Sequence, residues 1–500
     1  MADPVTGIVL AQYDLDIHGM KVGIEIRQTM DFVPLYSATY QGIGVATRLL
    51  ITSLRSEIIA MVPIEPSRVG DKAYMEEINV KYLEASNMLL DKYLPGTDVK
   101  TKQLLIAYII NILFGLGDLE VLLADENLEE IAVNGAASPV WVFHKEYGWC
   151  KSTIKPGSDQ EIYEQASGIG RRVGRQITNL APLMDAELSD GSRINATLAP
   201  ISQMGNTITI RKFVKNPWTM PMMIANHTVS PDLAALVWLS IQYEISLLIS
   251  GGTASGKTSI LNASSIFFPV NRRIVSVEET RELELPKYLH WVPMVTRQPN
   301  PEGKGAVSLY ELMINALRQR PDIMLVGEVR VETDAQTLFE AVHTGHAVYG
   351  TVHADNAQDT VVRMTNPPIN IPKIMLNSLG GIVVAFRHRM RNIRRILEIA
   401  EMMSSGDANV LYRWSMRDDT FTRVSDMTNL ADTLMLYTGL TRRDIIEDLA
   451  EKSRILQWMA NNKVFAVNDA GLVIAHYYKD RGKVTGLIND GVAYSRDLFE

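Results

Sequence analysis

One run of eight residues, Gly251-Gly-Thr-Ala-Ser-Gly256-Lys257-Thr258, constrains this 500-residue chain more tightly than any other part of it. Its spacing is G-x-x-x-x-G-K-[ST]. Glycines here admit positive φ, so successive backbone N–H groups can turn inward toward one anion. Lys257 supplies a mobile cation for phosphate oxygens, and the Thr258 hydroxyl suits Mg²⁺. The helix that begins at this point adds its positive end. An apolar strand at 245–250 precedes the loop, and the helical pattern Ser259-Ile-Leu-Asn-Ala follows it. A strand, loop and helix in this order call for an α/β fold whose strand ends carry the site. The phosphate-binding candidates are therefore Gly251, Gly252, Thr253, Ala254, Ser255, Gly256, Lys257, Thr258 and Ser259.

Beyond residue 230, helical patterns alternate with short, fully apolar runs at 245–249, 273–277, 323–326 and 347–352. Such runs suit strands buried on both faces of a parallel sheet. Two of them end in acids, Glu278-Glu279 and Gly327-Glu328. In a parallel sheet these ends converge on the edge that bears the loop. Carboxylates there can orient water, accept its proton, or hold Mg²⁺ through water. Glu328 is expected as the catalytic base or water-orienting group, with Glu278 second and Glu279 behind them. The plainer alternative for each is a solvated acid at a strand end.

Three of the nine histidines, His343, His346 and His353, fall close together. No cysteine or well-placed acid completes a metal set, so spacing alone favours structural histidines. Arginines are dense at Arg318, Arg320, Arg330, Arg387, Arg389, Arg391, Arg394 and Arg395. A solvated or subunit-interface face is the bland reading, and phosphate contact in trans the sharper one. Stacking aromatics for nucleic acid are missing beyond Phe386.

Hydrophobic residues make up 46% of the chain, which excludes disorder over most of its length. The net charge of −8 excludes a global polyanion-binding footprint. A single cysteine, Cys150, permits no intrachain disulfide and no thiolate zinc site. Met1-Ala2-Asp3-Pro4 does not read as the start of a signal peptide, and the most apolar window, 104–117, is too short for a membrane span. Residues 1–100 read as an α+β region without visible chemistry, with a strand at 21–26 and a helix at 75–94. A second α/β domain is expected at 101–213, with strands at 128–133 and 140–143 about the turn Asn134-Gly135 and another at 207–213. Pro217 and Pro221 suggest a flexible linker at 214–230. A motor domain at 231–404 and a mostly helical region at 405–500 follow, the latter with a capping box, Thr441-Arg-Arg-Asp444.

Four segments in order carry a resemblance. They are Gly251–Thr258; Ile274-Val-Ser-Val-Glu-Glu-Thr-Arg-Glu-Leu; Ala316-Leu-Arg-Gln-Arg-Pro-Asp-Ile-Met-Leu-Val-Gly-Glu-Val-Arg; and Thr344-Gly-His-Ala-Val-Tyr-Gly-Thr-Val-His-Ala-Asp. They resemble the Walker A, Asp, Walker B and His boxes of the secretion ATPase superfamily. Gly117-Asp-Leu-Glu, Leu128-Glu-Glu-Ile-Ala-Val-Asn-Gly and Asp190-Gly-Ser-Arg-Ile-Asn resemble the family's second N-terminal domain. The Glu-Glu-Thr-Arg-Glu form of the Asp box and Asn366-Pro-Pro-Ile-Asn-Ile-Pro are similar to the archaeal branch. That branch serves type IV pilus-like filaments and includes the archaellum motor ATPase. Ala341-Val-His-Thr-Gly-His departs from the archaellum form, which favours a pilus or secretion member.

The resemblance implies a RecA-like P-loop motor domain with a parallel central sheet, ATP and Mg²⁺ as ligands, and a homohexamer. It implies a cytoplasmic protein at the inner face of the membrane, working on a polytopic platform protein and, indirectly, on pilin-like subunits. Nucleic acid is not an expected partner. Carried over by residue, Lys257 and Thr258 hold phosphate and Mg²⁺, and Glu328 is the Walker B glutamate, reaching the metal through water. Glu278 is the Asp-box glutamate. His346 and His353 are the His-box pair, and His343 falls outside it. Arg193 and Arg211 are candidates for reaching nucleotide across a domain gap. Many bacterial relatives carry a four-cysteine zinc module that one cysteine cannot supply, so zinc is not expected. The alternatives are an archaellum motor, a traffic ATPase for DNA or protein export, and a nucleotide-gated scaffold with little turnover.

Overall fold

The computed structural model describes the chain except for residues 1–6, 18, 42, 64–71, 115, 189, 214–215, 300–302, 389, 392 and 500. Met1–Pro4 and Arg389, both read above, lie outside the described residues. Two compact units divide the chain, Met1–Val214 and Lys215–Glu500.

The sheet of the first unit contains β1 (Ile8–Ile17), β2 (Met20–Gln28), β3 (Leu35–Tyr40), β4 (Leu128–Asn134), β5 (Trp141–His144), β6 (Gly148–Ser152), β7 (Leu183–Glu187), β8 (Arg193–Thr197) and β9 (Thr207–Arg211). Their order is β1-β2-β3-β6-β5-β4-β9-β8-β7. The strand expected at 21–26 is the centre of β2, whose alternate residues Val22, Ile24 and Ile26 are buried. The helix expected at 75–94 runs Lys72–Tyr93, and the apolar window forms the helix Val99–Phe114. No helix among the described residues is long and apolar enough to cross a membrane.

One expected boundary does not hold. β3 pairs in parallel with β6 through Leu35↔Lys151 and Tyr36↔Ser152, so one sheet crosses residue 100. Residues from both sides of it, such as Ile24, Ile58, Val142 and Ile194, share one core. The join is non-local and short, so no pattern along the chain announces it.

The second unit contains β10 (Leu247–Gly251), β11 (Arg273–Glu278), β12 (His290–Val295), β13 (Ile323–Val326), β14 (Ala347–Val352), β15 (Gly381–His388), β16 (Ile393–Met402), β17 (Ala408–Ser415) and β18 (Thr420–Arg423). Their order is β12-β11-β13-β14-β10-β15-β16-β17-β18. The first six in that order are parallel, and β16 to β18 extend the sheet antiparallel. β10, β13 and β14 are buried along their whole length, as the unbroken apolar runs require.

Two further boundaries shift. Met220–Ala225 is a helix carrying Pro221 in its first turn, and its Met220, Met223 and Ile224 are buried in the second unit's core. A proline at that place starts a helix, because its missing N–H would have been unsatisfied anyway. Much of the expected linker is therefore core. Past 405, β17 and β18 precede the helices Asn429–Thr438, Arg442–Asn461, Val467–Lys479 and Arg481–Asn489. This helical tail packs on the helix Pro231–Gln242. Trp238, fully buried, donates its indole N–H to the Tyr478 hydroxyl at 2.8 Å, which donates to the Phe267 carbonyl at 2.6 Å. The capping box at Thr441 and Asp444 is present. The second unit is a RecA-like P-loop domain that ends in a helical tail, and the α+β first unit precedes it in the chain.

Candidate functional site

Register places the chemistry on one edge of the second sheet. Ser250 pairs with Val352, Gly251 with Ala385, and Val277 with Val326. Glu278, which ends β11, and the residues that follow these strands, Glu279, Gly327-Glu328 and His353, therefore emerge beside the phosphate loop.

The loop has the backbone that an anion cradle needs. Gly251 (φ 153°), Ala254 (φ 59°) and Gly256 (φ 97°) all have positive φ. A Cβ on Gly251 would lie 2.4 Å from both the Ala385 carbonyl oxygen and the Ser255 Oγ, so only glycine fits there. Gly256 is the left-handed N-cap of the helix Lys257–Ser264, whose free N–H groups open toward the loop. Ser255 Oγ is buried and has no hydrogen-bond partner among the described residues. Thr258 and Ser259, the first helical hydroxyls after the lysine, are partly exposed.

Lys257 is folded back on its own loop. Its Nζ donates to the Gly251 and Gly252 carbonyls at 3.0 and 3.1 Å, and it lies 3.3 Å from His353 Nδ1. Burial lowers its pKa, and the Glu328 charge opposes that shift. An ammonium only donates, so His353 Nδ1 accepts and the ring carries its proton on Nε2. That Nε2 lies 2.8 Å from Glu328 Oε1, close enough for an electrostatic contact, while Oε1 makes no hydrogen bond among the described residues. The histidine is therefore neutral. Burial and then the Lys257 charge hold its pKa below the usual imidazole value. Lysine, imidazole and carboxylate form one chain of contacts under the loop.

Glu278 sits one strand away and is fully buried. Its Oε1 accepts from the backbone N–H groups of Glu282 and Leu283 at 2.9 and 3.0 Å, while its Oε2 is buried with no hydrogen-bond partner among the described residues. Burial pushes its pKa up to about 7. Gly327 lets the two strand ends close up, since a Cβ there would stand 3.3 Å from the Glu278 Cα.

The remaining predicted residues are not drawn together. His346 precedes β14, at the opposite end of that strand from His353, a separation of roughly 20 Å at the rise of a strand. Its Nδ1 lies 3.1 Å from the Ala341 carbonyl and 3.1 Å from Thr344 Oγ1, at the end of the helix Glu332–His343. The structure therefore sets His346 apart from the loop that His353 touches. Seven residues of extended chain carry His346 to the far edge. Arg193 and Arg211 lie in register on β8 and β9 of the first unit. Arg193 forks onto Asp185 at 3.0 and 2.6 Å.

Three residues near the loop were given too small a part by sequence reasoning: Asp355 was not singled out, Glu279 was ranked behind the other acids, and Arg330 was read only as one of the dense arginines. Asp355 stands against the loop, for a Cβ on Gly252 would meet its Oδ1 at 2.9 Å. Arg330 and Glu279 flank Glu328. The available signal was position, since all three lie within four residues of a strand end on the loop's edge. Of the dense arginines, Arg394 packs by Gly256, and Arg395 forks onto Asp419 at 2.8 Å through two nitrogens.

The family described as Type II/IV secretion system protein matches residues 115–392, more than half of the chain. An uncharacterised protein of Methanocaldococcus jannaschii is 33% identical over 379 residues, covering 73% of this chain and 68% of that protein. The type IV secretion system protein PtlH of Bordetella pertussis is 28% identical over 320 residues, covering 57% of this chain and 94% of PtlH. Among solved structures, the Legionella pneumophila ATPase DotB aligns over 75% of this chain and 94% of its own, at 18% identity and a TM-score of 0.43.

Proposed function

We infer the activity of this chain from one premise: it belongs to the type II/IV secretion system protein family. We propose that it hydrolyses ATP as a homohexamer on the cytoplasmic side of a membrane. The work would be passed to a polytopic platform protein that assembles pilus-like filaments or exports protein. The observation that carries the reading is the chain of contacts from Lys257 through His353 to Glu328, beneath a loop with three positive-φ residues.

The chemistry is in-line attack of water on the γ-phosphate of ATP, which breaks the bond to ADP and releases phosphate. Lys257 exchanges its two loop carbonyls for phosphate oxygens, against which a cation is worth more. Backbone N–H groups from 252 to 258 hold the β-phosphate. Glu328 orients the water and accepts its proton, with the His353 ring 2.8 Å from its Oε1. Glu278 carries a proton close to neutral pH and keeps Oε2 available to the same edge. Thr258 would hold Mg²⁺ directly and Glu328 through water, and the ion would neutralise charge on the phosphates. Arg193 and Arg211 are proposed to contact nucleotide from the first unit.

Steady-state ATP hydrolysis across a range of protein concentrations tests this, with Lys257→Ala as control. Turnover should rise more than proportionally with concentration and vanish in the control. Turnover unchanged by Lys257→Ala would sink the assignment. A purified hexamer with no turnover above the control would point to the nucleotide-gated scaffold instead.

A further inference from the structure

The structure assigns Arg330 the task of positioning Glu328, with Glu279 as its anchor. This rests on the reading of Glu328 as the group that orients the attacking water. Arg330 reaches in from solvent, its side chain 52% exposed, toward a Glu328 that is 17% exposed. Its Nε and Nη2 donate to one oxygen of Glu328, Oε2, at 3.1 and 2.7 Å. Its Nη1 donates to both oxygens of Glu279 at 2.9 and 2.7 Å. One planar guanidinium therefore grips two carboxylates that leave adjacent strands, Glu279 just past β11 and Glu328 two residues past β13.

The grip bears on orientation. Glu328 could turn about its side-chain torsions, and a turn of a few tens of degrees would misplace a water-orienting oxygen. Two nitrogens on Oε2 remove most of that freedom, and His353 Nε2, 2.8 Å from Oε1, crowds the other oxygen. Glu279 fixes the arginine in turn. A lysine at 330 could not hold both carboxylates, because its ammonium is one point of charge and lacks the fork. If the three residues formed only an exposed ion pair, they would contribute little to stability and nothing to turnover. Arg330 is therefore a positioning residue acting in its own chain.

The test compares Arg330→Gln, Arg330→Lys, Glu279→Gln and the double variant Arg330→Gln/Glu279→Gln with the wild-type full chain. The measurements are kcat, KM for ATP, and the affinities for ADP and for ADP with aluminium fluoride, a mimic of the transferring phosphoryl group. Arg330→Gln should lower kcat on the order of tenfold to a hundredfold, the range for partners that orient an active-site ligand. It should weaken the aluminium fluoride complex to match, while KM and ADP affinity stay within about twofold. Arg330→Lys should recover part of the loss. Glu279→Gln should lose less, and the double variant should be no worse than Arg330→Gln, because Glu279 acts through the arginine. Wild-type kcat in Arg330→Gln would overturn the assignment. So would a raised KM and weakened ADP binding at unchanged kcat, which would make Arg330 a direct nucleotide contact. Additive losses in the double variant would overturn it as well. Should Arg330→Gln fail to fold, Glu279→Gln carries the same split between kcat and KM. Glu328→Gln separates the two levels. If it turns over normally, the reading of Glu328 fails; if it is inert while Arg330→Gln is active, only the present assignment fails.

Discussion

The two edges of the second sheet use polar groups differently. On the amino edge, side chains mostly bond the nearby backbone, beside the Arg273–His290 and Arg272–Glu244 pairs. Asp322 Oδ2 accepts from the Arg273 N–H at 2.7 Å, and Ser246 Oγ accepts from the Val348 N–H at 3.0 Å. His346 lies against the Ala341 carbonyl, and Arg273 Nε donates to the Gln319 carbonyl at 2.8 Å. On the carboxyl edge, polar side chains bond one another as well as the backbone, and buried oxygens including Ser255 Oγ, Glu278 Oε2 and Glu328 Oε1 have no hydrogen-bond partner among the described residues. The first pattern closes a fold. The second holds hydrogen-bonding capacity in reserve, at a cost in stability. The difference teaches where to look for chemistry in a sheet whose strands are all equally apolar.

The largest consequence concerns Glu278. Its pKa is about 7 in the folded chain, raised by burial, against an ordinary value of 4.5. Below pH 4.5 the group is protonated in both states and costs nothing. Between 4.5 and 7 the unfolded chain releases the proton first, so stability falls as pH rises and then levels off. The full loss is about 3 kcal/mol. Glu278→Gln keeps an acceptor for the Glu282 and Leu283 N–H groups and removes the titration. Urea unfolding at pH 5 and pH 7.5 should show the variant gaining on the wild type as pH rises. A constant gap would mean that the carboxyl edge bears no such cost.

Next in size is the contrast between the two histidines. His353→Ala removes the link between Lys257 and Glu328 and should lower kcat on the order of tenfold to a hundredfold. His346→Ala should act through the end of its helix, costing about 1 kcal/mol in unfolding while turnover stays within about twofold. Equal losses of turnover in both variants would break the comparison, because the amino edge would then belong to a site as well.

This contrast also marks what the sequence could disclose. The loop, the buried parallel strands and the acids at their ends were legible, because each rests on local spacing: two glycines and a lysine, four apolar runs, and carboxylates one or two residues beyond them. The capping box at Thr441 was legible for the same reason. What escaped was set by partners distant in sequence. Arg330 and Glu279 are 51 residues apart, and their pairing follows from β11 lying beside β13. The join between β3 and β6 spans more than a hundred residues, which hid the unity of the first unit. Pro221 misled in the other direction, since a helix start and a chain break use the same residue. The histidines were treated as a pair because they share a motif, yet an extended strand separates residues seven apart more widely than a helix would.

The smallest effect is expected at Asp322, and it tests the amino edge directly. The carboxylate accepts the Arg273 N–H where β11 begins, and the Asp322 backbone carbonyl accepts from the Ala347 N–H at 3.1 Å where β14 begins. Asp322→Ala removes the first bond and leaves the second. An exposed bond of this kind, with a charged acceptor, is worth about 1 kcal/mol net. The variant should therefore unfold at slightly lower urea with an unchanged m-value, because the same surface is exposed on unfolding. Its ATP turnover per folded chain should match the wild type, since β11 keeps its register with β13 through Ile274 to Val277. A fall in turnover larger than the loss of stability explains would mean that the start of β11 helps to place Glu278 and Glu279. The division of labour between the two edges would then fail at its weakest point.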